Sequence, residues 1–141
     1  MKNILITGGA GFIGSNFLKI FVSKEKFNKI IVLDNLTYAS NFSYIKDLFK
    51  LKNIIFIKGN ICNGKLVKKI FNNYKIEVVF NFAAESHVDN SIINSNKFIK
   101  TNFVGVHNLI STARIEWRNN LKNKLFFQIS TDEVFGHLKK N

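Results

Sequence analysis

Hydrophobic residues along this chain fall into short runs that alternate with amphipathic segments. The runs are rich in isoleucine, valine and phenylalanine and are typical of strands buried on both faces of a parallel sheet. The predicted strands are Lys2–Thr7, Lys29–Asp34, Asn53–Lys58, Glu77–Phe82 and Lys124–Ser130. Apolar residues between them recur at helical spacing and predict helices over Phe12–Ser23, Phe42–Leu51, Gly64–Tyr74 and Ser95–Trp117.

Strands that alternate with helices predict the α/β class. Right-handed crossovers place the helices on both faces of a parallel sheet. We therefore expect a doubly wound parallel sheet over residues 1–141 that stops after its fifth strand.

The net charge of +12 raises the question of a nucleic-acid partner. Of the 21 basic residues 19 are lysines, and they are spread along the chain. A nucleic-acid surface usually clusters its basic residues and favours arginine. Lysine, asparagine, isoleucine and phenylalanine, all with AT-rich codons, make up about half of the 141 residues, and proline is absent. We attribute the charge to mutational AT pressure and expect no nucleic-acid partner.

Membrane association and secretion are not expected either. No apolar run approaches the roughly 20 residues that span a bilayer. The first residues lead directly into a strand and then glycines, which does not fit a signal peptide. The single cysteine, Cys62, cannot form an internal disulfide. A cytoplasmic location is the expectation.

A glycine-rich turn follows the first strand and opens the first helix. Residues 7–14 read Thr-Gly-Gly-Ala-Gly-Phe-Ile-Gly, and Asp34 ends the second strand 20 residues after Gly14. Glycines allow a pyrophosphate to approach the backbone, and the helix N-terminus attracts its charge. The carboxylate is placed to accept from a ribose 2′-hydroxyl and to repel a 2′-phosphate, which predicts NAD rather than NADP. The alternative is a plain turn with Asp34 as a helix cap.

The turn and four further segments resemble the dTDP-glucose 4,6-dehydratase family of the extended short-chain dehydrogenase/reductase superfamily. The segments are Asp34–Ala39, Ala83–Asp89, Thr101–Asn102 and Ser130–Val134. The resemblance covers the whole chain but only the N-terminal part of such an enzyme. It implies a Rossmann-type fold and a NAD-dependent lyase of dTDP-rhamnose biosynthesis. The substrate would be dTDP-glucose or a related nucleotide sugar, and the full-length enzyme would be a homodimer.

The resemblance also implies the cofactor-binding residues, and no metal is expected because no ligand-spaced histidines or cysteines occur. The implied NAD contacts are Gly8, Gly11, Phe12, Ile13, Gly14, Asp34, Asn35, Leu36, Thr37, Asn60, Ile61, Ala83 and Ala84. Asn60 stands where the family usually has aspartate. Ser86 and His87 are the implied sugar contacts, with a histidine hydrogen-bonded in a loop as the alternative for His87. Asn102 resembles a structural asparagine of the superfamily, or else is an ordinary exposed one.

Thr131, Asp132 and Glu133 are the implied catalytic residues. By resemblance Asp132 is the acid for the departing hydroxyl, Glu133 the base for the carbon-5 proton, and Thr131 supports the carbonyl oxygen. Adjacent strand residues point to opposite faces, so the chain must leave the strand here, and Gly136 is consistent with a turn. Acidic residues that simply close a strand are the alternative.

Superfamily members also use a tyrosine with a lysine four residues later. None of Tyr38, Tyr44 and Tyr74 is followed by lysine at that spacing. We therefore expect an incomplete NAD-binding domain without its substrate domain, inactive as this fragment alone. A NAD-binding module or remnant without turnover, or another nucleotide-sugar epimerase or dehydratase, stays open as the alternative.

Overall fold

The computed structural model describes residues 1–87, 92 and 94–136, with Asp132 and Glu133 described by their backbone only. All five predicted strands are confirmed, each shortened by at most two residues at an end. They are β1 (Asn3–Thr7), β2 (Lys29–Asp34), β3 (Ile54–Lys58), β4 (Val78–Asn81) and β5 (Leu125–Gln128). The α-helices are α1 (Phe12–Lys24), α2 (Gly64–Tyr74), α3 (Ser95–Phe98) and α4 (Val106–Trp117).

The five strands form one parallel sheet in the order β3-β2-β1-β4-β5. This is the strand order of the Rossmann fold up to its fifth strand, and it confirms the predicted fold class. The order reverses between β1 and β4. Ligands of open α/β sheets bind beyond the carboxyl ends of the strands at such a point.

Alternate strand residues feed a separate core on each face of the sheet. On one face Leu5, Ile31 and Val79 pack with buried residues of α2 and α4. On the other face their strand neighbours pack with Leu18 of α1. Because both faces are covered, the strands need continuous apolar runs, which is the pattern in the sequence.

The short helix predicted over Phe42–Leu51 is two 3₁₀ helices, Phe42–Tyr44 and Lys46–Lys50. Ile45 lies between them with φ −123°, outside helical geometry, and its side chain is fully buried in the core on the α1 face. Tertiary packing of Ile45 therefore interrupts the helix, which local propensity does not reveal.

The long helix predicted over Ser95–Trp117 is confirmed in extent, but its central residues Ile99–Gly105 form a π helix between α3 and α4. Gly105 lies so close to Ile61 that a Cβ at this position would be 2.6 Å from the isoleucine side chain. Such π segments are rare in proteins, and those that occur are often found at functional sites. No helix in the described part of the chain is long and apolar enough to cross a membrane.

Large apolar side chains are exposed along edge strand β5, the long helical segment and the 3₁₀ helix that follows β5 (Asp132–Phe135). They are Ile99, Phe103, Val104, Ile110, Ile115, Leu125, Phe127, Val134 and Phe135. Exposed apolar surface of this kind favours association.

We expect the 141-residue chain to self-associate at roughly tens of micromolar, within the range where exposed apolar surface aggregates. Phe127→Lys should shift the population toward monomer, because it places a charge on the exposed edge strand. Light scattering measures the association state of the wild-type chain and of the variant. Ile20→Lys, on exposed α1, is the matched control and should change little. A clean wild-type monomer would contradict the expectation.

Candidate functional site

A cleft opens at the carboxyl ends of β1, β2 and β4, where the strand order reverses. The glycine turn after β1 forms its floor, and the loops after β2 and β4 form its two walls. The lining residues are Gly8, Gly11, Leu33, Asp34, Asn35, Thr37, Ala39, Ser40, Gly59, Asn60, Ile61, Phe82, Ala83, Ala84, Glu85 and Thr101. Segments far apart in the sequence therefore meet here.

The floor of the cleft has no room for side chains. Gly8 has φ +68°, and a Cβ there would lie 2.6 Å from the backbone nitrogen of Ala83. A Cβ on Gly14 would lie 2.2 Å from the carbonyl oxygen of Gly8. These contacts bring the start of α1 against β1 and the loop after β4, so the backbone itself is what a ligand would meet.

The first turn of α1 supplies donors to this floor. Gly11 is the N-cap residue, and among the described residues no side-chain hydrogen bond caps the helix there. The backbone N–H groups of a first turn have no acceptor within their own helix, and those of Phe12 and Ile13 belong to this turn. Together with the helix dipole they suit a pyrophosphate.

Asp34 is 4% exposed, and its carboxylate is held from three sides. Oδ2 accepts from the backbone N–H of Ala10 at 2.9 Å, and Oδ1 accepts from that of Leu36 at 2.8 Å and from Ser40 Oγ at 2.9 Å. A carboxylate has about four acceptor positions, so one is left for a ribose hydroxyl. Asp34 is thus oriented within the cleft wall, where its negative charge would repel a phosphate on the 2′ position of that ribose.

Of the other residues predicted to contact the cofactor, some line the cleft and others stabilise the loops around it. Asn35, Thr37, Asn60, Ile61, Ala83 and Ala84 line the cleft. The side chain of Leu36, a residue with φ +52°, instead packs against the core on the α1 face. The Asn60 side-chain oxygen accepts from the backbone N–H of Cys62 at 2.8 Å and so fixes the loop after β3.

A second cleft adjoins the first and shares Ala83, Ala84 and Glu85 with it. It is also lined by Ser86, Asn102, Val106, Gln128, Ile129, Ser130 and Thr131. The predicted sugar contact Ser86 and the predicted catalytic Thr131 therefore lie together, next to the cofactor cleft.

The chain leaves β5 at Gln128 and enters the 3₁₀ helix Asp132–Phe135, followed by Gly136 at φ +72°. This departure from the strand is what convergence of Asp132 and Glu133 requires. Their side chains lie outside the described residues, as do Val88 and Asp89 of the segment after β4.

The side chain of Asn102, in the π helix, forms two hydrogen bonds with the backbone of a single residue, Glu85, in the loop after β4. Its side-chain oxygen accepts from the Glu85 backbone N–H at 2.8 Å, and its amide donates to the Glu85 carbonyl at 2.8 Å. Such a paired amide contact fixes both position and direction of the loop between the two clefts.

A sequence model of the family described as GDP-mannose 4,6 dehydratase matches residues 5–141. The chain belongs to this family.

Individual members of the dehydratase family are also similar to the chain. A dTDP-D-glucose 4,6-dehydratase of Dictyostelium discoideum is 46% identical over 136 residues, which are 96% of this chain and 30% of the relative. A dTDP-glucose 4,6-dehydratase of Bacillus anthracis, crystallised with NAD, superposes with a TM-score of 0.80 at 38% identity, covering 100% of this chain and 41% of that one. A dTDP-glucose 4,6-dehydratase of Streptomyces venezuelae, also crystallised with NAD, superposes with a TM-score of 0.84 at 32% identity, covering 99% of this chain and 42% of that one. The chain thus spans less than half the length of these relatives.

Sequence reasoning missed a polar ladder beneath the clefts of this dehydratase-family chain. Thr7, Asn81 and Gln128 are register partners at the ends of β1, β4 and β5. Thr7 Oγ1 donates to Asn81 Oδ1, Asn81 Nδ2 to Gln128 Oε1 at 2.7 Å, and Gln128 Nε2 to the Ile129 carbonyl at 2.8 Å. The ladder ends where the chain turns toward Thr131. A polar residue within each apolar strand was the available signal.

Two further residues of the site had no local signal. Ser40 contributes the hydroxyl that orients Asp34. Lys97 of α3 pairs with Glu85. Ser40 lies six residues after Asp34 in a loop of varied residues, and Lys97 pairs with a residue of another segment, so neither stands out in the sequence.

Within the described residues no group of three or more histidine, cysteine, aspartate or glutamate side chains is placed to hold a metal ion. Burial raises the pKa of the Cys62 thiol. Its Sγ donates to the Lys100 carbonyl at 3.0 Å. The thiol therefore supports the approach of the π helix to the loop after β3.

Proposed function

We propose that this chain is the NAD-binding, N-terminal part of a dTDP-glucose 4,6-dehydratase. The observation that carries the proposal is a side-chain-free glycine floor beside an oriented, buried Asp34, adjoining a second cleft that contains Thr131. The names of the similar curated proteins, and the NAD in two similar structures, support it. The proposed substrate is dTDP-glucose or a related nucleotide sugar.

The described residues fit NAD along the carboxyl edge of the sheet. First-turn N–H groups of α1 would bind the pyrophosphate, and Asp34 would accept from the adenosine ribose. Ala83 and Ala84 would let the cofactor pass close to the backbone on its way to the second cleft. When bound, NAD would supply the hydride acceptor for oxidation at sugar carbon 4.

Dehydration would then occur in the second cleft. A ketone at carbon 4 acidifies the carbon-5 proton, which Glu133 is proposed to remove while Asp132 protonates the departing carbon-6 hydroxyl and Thr131 supports the carbonyl oxygen. The 3₁₀ backbone after β5 supports this assignment, because a continued strand would have sent adjacent residues to opposite faces.

We expect NAD to bind at least about tenfold more tightly than NADP, because the Asp34 carboxylate would face a 2′-phosphate of like charge. Asp34→Asn keeps an acceptor oxygen but removes the charge. This variant should bind NAD more weakly and NADP more tightly than the wild type, so the difference between the two affinities should narrow. Fluorescence titration with the reduced forms of both cofactors measures these affinities.

Asp47→Asn is the matched control for the Asp34 variant. Asp47 is exposed and pairs with Lys50, away from the cleft. It should leave the cofactor preference unchanged. Equal wild-type affinity for NAD and NADP would contradict the assignment of Asp34.

A cytoplasmic location, a homodimer in the full-length enzyme and a place in dTDP-rhamnose biosynthesis are further parts of the proposal. A lone cysteine in 141 residues supports the first, and the exposed apolar residues of α4, Ile110 and Ile115, support the second.

A further inference from the structure

Four side chains meet at the rim of the cofactor cleft, and two of them, Tyr38 and Lys97, have no role in the proposed binding of cofactor or sugar. Tyr38 comes from the loop after β2, Glu85 and His87 from the loop after β4, and Lys97 from α3. Lys97 Nζ lies 3.0 Å from Glu85 Oε1 and 4.9 Å from the centre of the Tyr38 ring. Tyr38 OH lies 3.5 Å from Glu85 Oε2, and the Tyr38 and His87 ring centres are 5.7 Å apart.

These contacts join the two walls of the cleft. Thr37 and Ala39, on either side of Tyr38, line one wall, and Glu85 lines the other. In the sheet β1 lies between β2 and β4. A contact between the loops after β2 and β4 therefore passes across the glycine turn after β1, where the pyrophosphate is proposed to lie.

Lys97 is the residue that holds the two sides together. The Glu85 side chain is only 8% exposed, whereas that of Lys97 is 43% exposed. A carboxylate so far removed from water needs a partner, and Asn102 already fixes the Glu85 backbone. The ammonium group of Lys97 satisfies this carboxylate and at the same time lies over the Tyr38 ring, a cation–π arrangement.

We propose that Tyr38, Glu85, His87 and Lys97 form a wall strap that controls the passage of the dinucleotide into and out of the cleft. The inference rests on the proposed function. Because the strap contacts join protein groups to one another, opening them is a step shared by entry and release. Weakening the strap therefore speeds both rates and leaves the equilibrium affinity nearly unchanged.

The test is stopped-flow fluorescence of NADH binding, with release measured by a chase of excess NAD. Lys97→Met removes the ion pair and the cation–π contact, and Tyr38→Leu removes the ring. Tyr38 is exposed and Lys97 is partly exposed, and neither is a core residue, so the variants keep the core intact. For each variant, association and dissociation rates should rise together about three- to tenfold, with Kd within about twofold of wild type.

Two further variants separate the strap from simple electrostatics. Lys100→Met, on the same helical segment, removes one charge outside the strap and should leave both rates near their wild-type values. Lys97→Arg keeps the cation and should restore wild-type rates.

Each result decides the proposal. The strap proposal is overturned if the rates of Lys97→Met equal those of Lys100→Met. It is also overturned if Lys97→Met changes Kd through the dissociation rate alone, because that result would mean direct contact with the dinucleotide. Either outcome leaves the proposed function standing. Failure of the wild-type chain to bind NADH and NAD at all overturns the proposed function and the strap with it.

Discussion

Gly8→Ala is expected to destabilise the chain by about 2–5 kcal/mol, a large part of the total stability of a small domain. Two costs combine. The residue has φ +68°, which L-residues rarely adopt, and its new Cβ would lie within 2.8 Å of three backbone atoms of Phe82 and Ala83. Since backbone cannot rotate away, β1 and the loop after β4 must separate, and the floor of the cleft is lost. Urea denaturation measures the stability, and NADH titration measures binding.

Gly136→Ala is the matched control for Gly8→Ala. Gly136 has a similar φ of +72°, but no atom of the described residues lies within 4 Å of a Cβ built there. This variant should therefore show the conformational cost alone, about 1 kcal/mol. Equal destabilisation by the two variants would mean that the contact with the loop after β4 carries no energy, contrary to the packing described here.

The 141-residue chain alone is expected to form no keto sugar from dTDP-glucose, even where it binds NAD. In the proposed mechanism Asp132 and Glu133 could act only after carbon 4 is oxidised, because otherwise the carbon-5 proton is too weakly acidic for a carboxylate to remove. Oxidation needs a base aligned with the cofactor, and these 141 residues contain no tyrosine followed by lysine four positions later. A general base contributes typically ~10²–10⁴-fold, and substrate positioning contributes more.

Adding a separately expressed C-terminal part of the similar Dictyostelium dehydratase should restore turnover. In that mixture Asp132→Asn and Glu133→Gln should each lower kcat by about 10²–10⁴-fold without weakening NADH binding. Glu25→Gln, at the end of α1 and outside both clefts, should change neither. Robust turnover by the chain alone would contradict the need for an added base. No turnover on complementation would favour a cofactor-binding module without activity.

Those parts of the site that depend on local sequence were predictable. The glycine turn needs the φ of Gly8 and the closeness of Gly14 to Gly8, and both follow from residues within one strand-turn-helix unit. Asp34 was recognised because it ends a strand at a set distance from that turn. By contrast, Tyr38 and Glu85 are 47 residues apart, as are Asn81 and Gln128. No short stretch of sequence, of the length over which periodicity and motifs are judged, contains both members of either pair. The wall strap and the polar ladder were therefore not predicted.

The sequence by itself determined the fold class, the strand positions to within two residues at each end, and the position of the glycine turn. Apolar periodicity and glycine spacing record which faces are buried and where the backbone must be bare. Only the tertiary structure decided the helix types and the side-chain networks. Burial of Ile45 interrupts the helical segment after β2, and the close packing of Gly105 on Ile61 accompanies the π helix that presents Asn102 to the loop after β4. These features arise from contacts between elements, whose energies exceed the small differences in local propensity that a sequence pattern reports.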